Sequence, residues 1–169
     1  MMNSFFDKIS GENILDILST GVVDIEDGIA DFIPMANYIF FEFETKIIRF
    51  ELIEESLELK LNYANLITYD FEVEEDMYPA KSSISNLILT STLADNTVKS
   101  IEVYDGKQIE NEISCCAISF LLCSGQELFL DPASCFGLNI GGKEQKDLWL
   151  NNYPNTESYT VPKSIIKLH

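Results

Sequence analysis

Histidine and arginine are almost missing from this chain. His169 is its last residue, and Arg49 is the only guanidinium among 169 residues. A Ser-His or Cys-His nucleophile therefore lacks a base that could be held in a buried site. One arginine also leaves little for bidentate capture of phosphate or carboxylate substrates. Long apolar runs are lacking as well. The longest uncharged stretch, residues 113–126, is too short to span a bilayer and includes polar residues. The opening MMNSFFDKISGEN has neither a basic leader region nor a long apolar core, so it does not read as a signal peptide. These absences predict a soluble, cytoplasmic protein without nucleophilic catalysis.

What the chain has in excess is acid. With 28 acidic and 11 basic residues the net charge is −17. Such a field repels nucleic acid and anionic membranes and favours a basic partner. Apolar residues make up 46% of the chain, enough to predict a folded core rather than disorder. The length fits a single domain over 1–169.

Cys115, Cys116, Cys123 and Cys135 fall close together but lack the spacing of two to four residues typical of metal-ligand pairs. Read as one strand, 113–123 would hold Cys115 and Cys123 about 26 Å apart at ~3.3 Å per residue. Cys115 and Cys116 would then face opposite ways. Buried, reduced thiols are expected.

Short helix-like patterns occupy 4–9 and 11–19, where Ile14, Leu15 and Leu18 would share a face. Gly21 and Gly28 then bracket an acidic stretch. From Tyr38 the period is two: Ile39, Phe41 and Phe43, then Ile48, Phe50 and Leu52, then Leu57, Leu59 and Leu61 alternate mainly with polar residues. A two-residue connection at Thr45-Lys46 would pair Phe41 with Phe50 and set Glu42 opposite Arg49. In the next hairpin a four-residue loop, 54–57, pairs Leu52 with Leu59 and Glu51 with Lys60. Further strands are predicted at 66–73, 84–93, 98–104, 113–123, 126–130 and 136–140. The strand at 113–123, apolar on both faces, should be central. Asp105-Gly106 and Ser124-Gly125 are turn signals. Residues 143–151 read as a helix with Leu148 and Trp149 directed at the sheet. The expected fold class is α+β, a predominantly antiparallel sheet (meander, sandwich or partly open barrel) with short helices at both ends.

Three motifs come near to chemistry. Gly137-Leu-Asn-Ile-Gly-Gly-Lys143 fits a phosphate loop, but Glu144 replaces the Ser or Thr that would hold magnesium. Such a loop needs a parallel strand running into a helix, and here the preceding strands form an antiparallel series. A strand, a Gly-Gly turn and a helix starting near Lys143 explain it better. Asp24, Glu26, Asp27 and Asp31 crowd oxygens together without the order or terminal glutamate of a calcium loop. With so many carboxylates, a pair at glycosidase spacing carries no specificity. The densest acidic run, Asp70 to Pro79, differs in kind. Asp70, Glu72 and Glu74 would align on one side of a strand and Phe71 and Val73 on the other, a like-charge row that opposes folding. Next to it Tyr78 precedes Pro79, which favours an extended backbone. An aromatic anchor ringed by acids suits a basic surface.

The C-terminal stretch Gly125–Pro132 (GQELFLDP), followed by Gly137, Ile140-Gly141-Gly142 and Trp149, resembles the end of small bacterial immunity proteins of polymorphic and contact-dependent toxin systems. The resemblance covers about a quarter of the chain and transfers no functional residue. It implies a bacterial antitoxin, an acidic cytoplasmic protein that blocks a cognate basic toxin such as a nuclease. From the residues, the partner-binding set is Glu72, Glu74, Glu75, Asp76 and Tyr78, with no catalytic residue, cofactor or metal expected. A small-ligand-binding or adaptor domain is the alternative, and an enzyme comes third.

Overall fold

A computed structural model describes residues 2–134, 137–152 and 162–168. Helix α1 (Met2–Phe6) and a 3-10 turn (Asp7–Ile9) precede the long strands β1 (Ile14–Glu26) and β2 (Ile29–Phe43). Then come β3 (Ile47–Ile53), β4 (Glu58–Ala64), β5 (Met77–Ser83) and the one-turn helix α2 (Ser85–Ile88). Strands β6 (Val98–Tyr104), β7 (Lys107–Ile109), β8 (Glu112–Cys115), β9 (Ala117–Leu122), β10 (Glu127–Ser134) and β11 (Gly137–Gly141) follow. Helix α3 (Lys143–Asn152) and β12 (Lys163–Lys167) complete the described elements.

These strands form two antiparallel sheets that do not close into a barrel. Sheet I has the order β5-β1-β2-β3-β4-β8-β7, and sheet II the order β11-β10-β9-β6-β12. The apolar face of each sheet must be removed from water, and they bury these faces against each other. Ile17, Phe41, Ile48, Phe50, Leu59 and Leu61 of sheet I join Ile101, Val103, Ile118, Phe120, Leu128 and Leu130 of sheet II in one core. Phe5, Phe6 and Ile9 plug it from the side, with the Tyr63 hydroxyl donating to the Phe5 carbonyl at 2.7 Å. On the far face of sheet II, Trp149 of α3 packs on Tyr104 and Phe129.

The meander from Tyr38 through β4 follows the period-two pattern, and the four-residue loop is as expected: Leu52 pairs with Leu59 and Glu51 with Lys60. The first hairpin differs. Phe43 N–H donates to the Lys46 carbonyl, so Glu44-Thr45 is the turn, one residue early. Phe41 therefore faces Ile48, and Arg49 faces Phe40 rather than Glu42. The two-residue slip keeps every side chain on its face, so hydrophobic parity could not detect it. Glu12 selects the observed turn by accepting bonds from the Thr45 N–H (3.1 Å) and hydroxyl.

Other expectations need correction. Residues 14–19 are strand, not helix, because the ladder to β2 supplies pairing that the short helical spacing cannot match. Residues 66–73 are irregular, and 84–93 holds α2 instead of a strand. The single strand predicted over 113–123 turns a corner at Cys116: β8 belongs to sheet I and β9 to sheet II. Strand β9 is central, as its two apolar faces require, with the core on one side and α3 on the other. Trp149 is buried, whereas Leu148 points outward. Of the cysteines, Cys115 is buried, Cys116 intermediate and Cys123 exposed at a hairpin end; Cys135 and His169 lie outside the described residues. Burial pushes the Cys115 thiol well up.

Candidate functional site

Beyond the sandwich, β1 and β2 continue as a projecting ribbon. Its origin is a large bulge: Ser19 pairs with Ile39 but Gly21 pairs with Pro34, so β2 holds extra residues around Ala36. Gly21 makes this possible, since a Cβ there would lie 2.1 Å from the Ile33 carbonyl oxygen. At the far end Asp27-Gly28, with φ of 52° and 79°, closes a two-residue turn of the type favoured in hairpins. Strand β5 pairs along the other side of β1, from Leu18–Ser83 to Asp24–Met77, giving a three-stranded arm.

The two faces of this arm differ in chemistry. Cross-strand neighbours share a face, so Val23, Phe32 and Tyr78 form one row and Ile25 and Ala30 the next. They continue the core-facing side of β1. Here Tyr78 is 61% exposed and Ile25 53%. The opposite face carries Asp24 directly across from Asp31, with Glu26, Ile29 and Met77 beside them. Like charges in direct opposition weaken a ladder.

The chain between β4 and β5 passes over the outer face of sheet I toward this arm. Tyr38 donates its hydroxyl to the Asp70 carbonyl at 3.1 Å and packs against Phe71. Arg49 reaches Glu51 at 3.1 Å and Asp70 at 3.2 Å while lying over the Tyr38 ring. The one arginine thus anchors the acidic crossover. From Asp70 to Glu74 exposure alternates, with Phe71 and Val73 half-buried and Asp70, Glu72 and Glu74 outward, although no partner strand is present. A turn in which Met77 N–H donates to the Glu74 carbonyl then delivers the chain into β5.

Glu72, Glu74, Glu75 and Asp76 are all exposed on the crossover, and Tyr78 follows on β5. The entry to β5 brings the run beside Asp24, which pairs with Met77. Among the described residues, Asp24, Glu26, Asp27, Asp31, Glu72, Glu74, Glu75 and Asp76 take part in no ion pair. The arm's contribution, including Ile25, Ile29 and Ile33, is missing from the sequence-based site. Asp27-Gly28 between apolar alternations is the hairpin signal that reveals it.

No family, curated protein or solved structure matches this chain.

Two other places have titratable groups near one another. Under α3, Lys146 lies 2.7 Å from Glu102 and 2.5 Å from Glu127, with Tyr104 and Ser119 donating to those carboxylates. Burial alone would lower the Lys146 pKa, but its bonds to Glu102 and Glu127 raise it. For Glu102 burial acts upward, yet hydrogen bonds from Lys146 and Tyr104 and the nearby cations bring it below the ordinary range. These groups stabilise each other's charged forms and hold no poised base. The second place is a groove of about 470 Å³ lined by Lys8, Glu42, Glu44, Lys46 and Tyr63. Lys8 lies over one Tyr63 face and Phe5 packs on the ring, so the aromatic is engaged within the protein. The phosphate-loop lookalike is β11 antiparallel to β10, running into α3, with the Gly141 site pressed against Gln145. Asp24, Glu26, Asp27 and Asp31 spread along a hairpin, and among the described residues no side-chain group has the arrangement of a metal site.

Proposed function

We propose that this chain is a non-catalytic binding protein that neutralises a basic protein, in the manner of an immunity protein against a cognate toxin. Glu72, Glu74, Glu75 and Asp76 steer and hold the partner, and Tyr78 supplies a contact anchor. The observation that carries this reading is the meeting of Glu72 to Asp76 with the acids of the arm at the entry to β5, next to the exposed Tyr78, these carboxylates having no ion-pair partners among the described residues. Carboxylates kept unpaired next to one another oppose folding slightly, so their close placement is explained by attraction to something outside. Tyr78 is held rigidly because its backbone belongs to the β1–β5 ladder, which lowers the entropy lost when a partner covers it.

The test is co-production with the basic product of the neighbouring reading frame. The chain should suppress that protein's toxicity and form a 1:1 complex with it. Glu72→Lys, Glu74→Lys, Glu75→Lys and Asp76→Lys together should abolish both. A complex that survives the four reversals shows the site to be elsewhere.

A further inference from the structure

We infer that the groove beside the β2–β3 turn is a binding site for a small zwitterion, an α-amino acid with an apolar side chain. This is independent of the basic-partner reading, because Glu72, Glu74, Glu75, Asp76 and Tyr78 do not line the groove.

The groove lies at the end of sheet I away from the arm, since β2 runs from the arm's turn to Phe43. Its volume of about 470 Å³ is within the range of about 300–1,000 Å³ for small-molecule sites. The 3-10 turn supplies Lys8, the β2–β3 hairpin supplies Glu42 to Ile47, and the chain at the end of β4 supplies Tyr63 to Asn65. Each wall is fixed from within the protein. Glu12 holds the hairpin turn through Thr45, and the Tyr63 hydroxyl is bonded to the Phe5 carbonyl. Walls set in advance reduce the entropy lost when a ligand binds.

Charges of both signs line the groove and are not spent on each other. Among the described residues, Glu42, Glu44 and Lys46 take part in no ion pair, and Lys8 meets only the Tyr63 ring. Glu42 is half-buried. It lies across from Ile47, which in turn faces Ala64, so the carboxylate borders an apolar surface.

This lining selects by charge. An anion gains the lysines but meets Glu42 and Glu44, and a cation meets the reverse. A neutral ligand strips water from the charges and returns no counter-charge. Stacking of an aromatic ligand on Tyr63 is blocked by Phe5 and Lys8. A zwitterion answers both signs at once, its ammonium toward Glu42 and its carboxylate toward Lys46 and Lys8. An apolar side chain would then rest on Ile47 and Ala64.

The experiment titrates the full chain with L-leucine, N-acetyl-L-leucine, which lacks the ammonium, and L-leucinamide, which lacks the carboxylate. Binding is read from the amide shifts of residues 42–47 and 63–65. At about 0.15 M salt the field of the rest of the chain is screened beyond ~8 Å, so these shifts report the groove. L-leucine should saturate and bind at least about fivefold tighter than either derivative, as expected for one charged contact at a partly exposed site. Glu42→Gln should remove the preference over N-acetyl-L-leucine, and Lys46→Gln the preference over L-leucinamide. Lys99→Gln, at an exposed lysine of sheet II, should change neither. Circular dichroism verifies that each variant is folded. No saturable shift with L-leucine, equal binding of the three compounds, or preferences that persist in both groove variants would overturn the site. None of these results bears on the acidic site for a basic partner.

Discussion

Acid is used in opposite ways on the two sheets. On sheet II, Glu102 and Glu127 lie under α3, share Lys146, and accept from Tyr104 and Ser119. On sheet I, Glu72 to Asp76 of the crossover stand in solvent, and they and the carboxylates of the arm have no ion-pair partners among the described residues. Charge inside a fold must be paired to be tolerated, whereas charge that serves an outside partner must be left unpaired. Arg49 marks the boundary: it secures Asp70 to the sheet and leaves Glu72 to Asp76 free of it.

The contrast can be broken most forcefully at Lys146. Lys146→Met strands Glu127, 17% exposed, and leaves Glu102, 22% exposed, only Lys163 at 3.3 Å, and should cost about 2–4 kcal/mol in urea unfolding, near the value for breaking a buried pair. Because Trp149, the only tryptophan, belongs to the same helix and packs on Tyr104 and Phe129, its fluorescence should shift to the red in the variant. Should stability hold, the pairing is not what secures α3.

Gly21→Ala comes next. The new Cβ would meet the Ile33 carbonyl, a backbone atom, and should cost about 1–3 kcal/mol. Hydrogen exchange should quicken in 21–34 and 77–81, and less in sheet II. Uniform acceleration would contradict an arm that is distinct from the sandwich.

Acid should act selectively on the paired region. The Glu102 carboxyl is depressed below its ordinary 4.5, so its stabilising effect is fully present above that value. It fades as pH falls through the lower folded value. Trp149 fluorescence should therefore remain native at pH 5 and change at lower pH, and Glu102→Gln should flatten that change.

The smallest effect belongs to the unpaired acids. Glu74→Gln with Glu75→Gln and Asp76→Gln should leave stability unchanged or raise it by up to about 0.5 kcal/mol, since only repulsion is lost. A clear loss of stability would place these residues with Glu102 and Glu127 as structural groups.

How far the sequence discloses this architecture depends on the range of the forces involved. The β3–β4 hairpin is legible because parity and the Glu51–Lys60 pair agree on one register. Parity leaves the β2–β3 turn ambiguous by two residues, and the deciding contact is Glu12, more than thirty residues away. Ile14, Leu15 and Leu18 suit a helix locally, whereas pairing of Ile14 with Phe43 and of Leu18 with Phe40 makes the segment strand. Phe71 and Val73 alternate with acids as in a strand, yet they lie across a sheet whose edges are taken by other segments. The acids and Tyr78 are visible as a run, but their union with Ile25 and Asp24 exists only through the β1–β5 ladder.

The central claim is that the arm and crossover, rather than the acid of the whole surface, receive a basic partner. Amide chemical-shift mapping during titration with a short oligolysine peptide addresses it directly. Shifts should concentrate in 21–34 and 70–80 and vanish when Glu72, Glu74, Glu75 and Asp76 are all replaced by lysine. Shifts scattered over every acidic surface, or centred on the Lys8 and Tyr63 groove, would contradict the account.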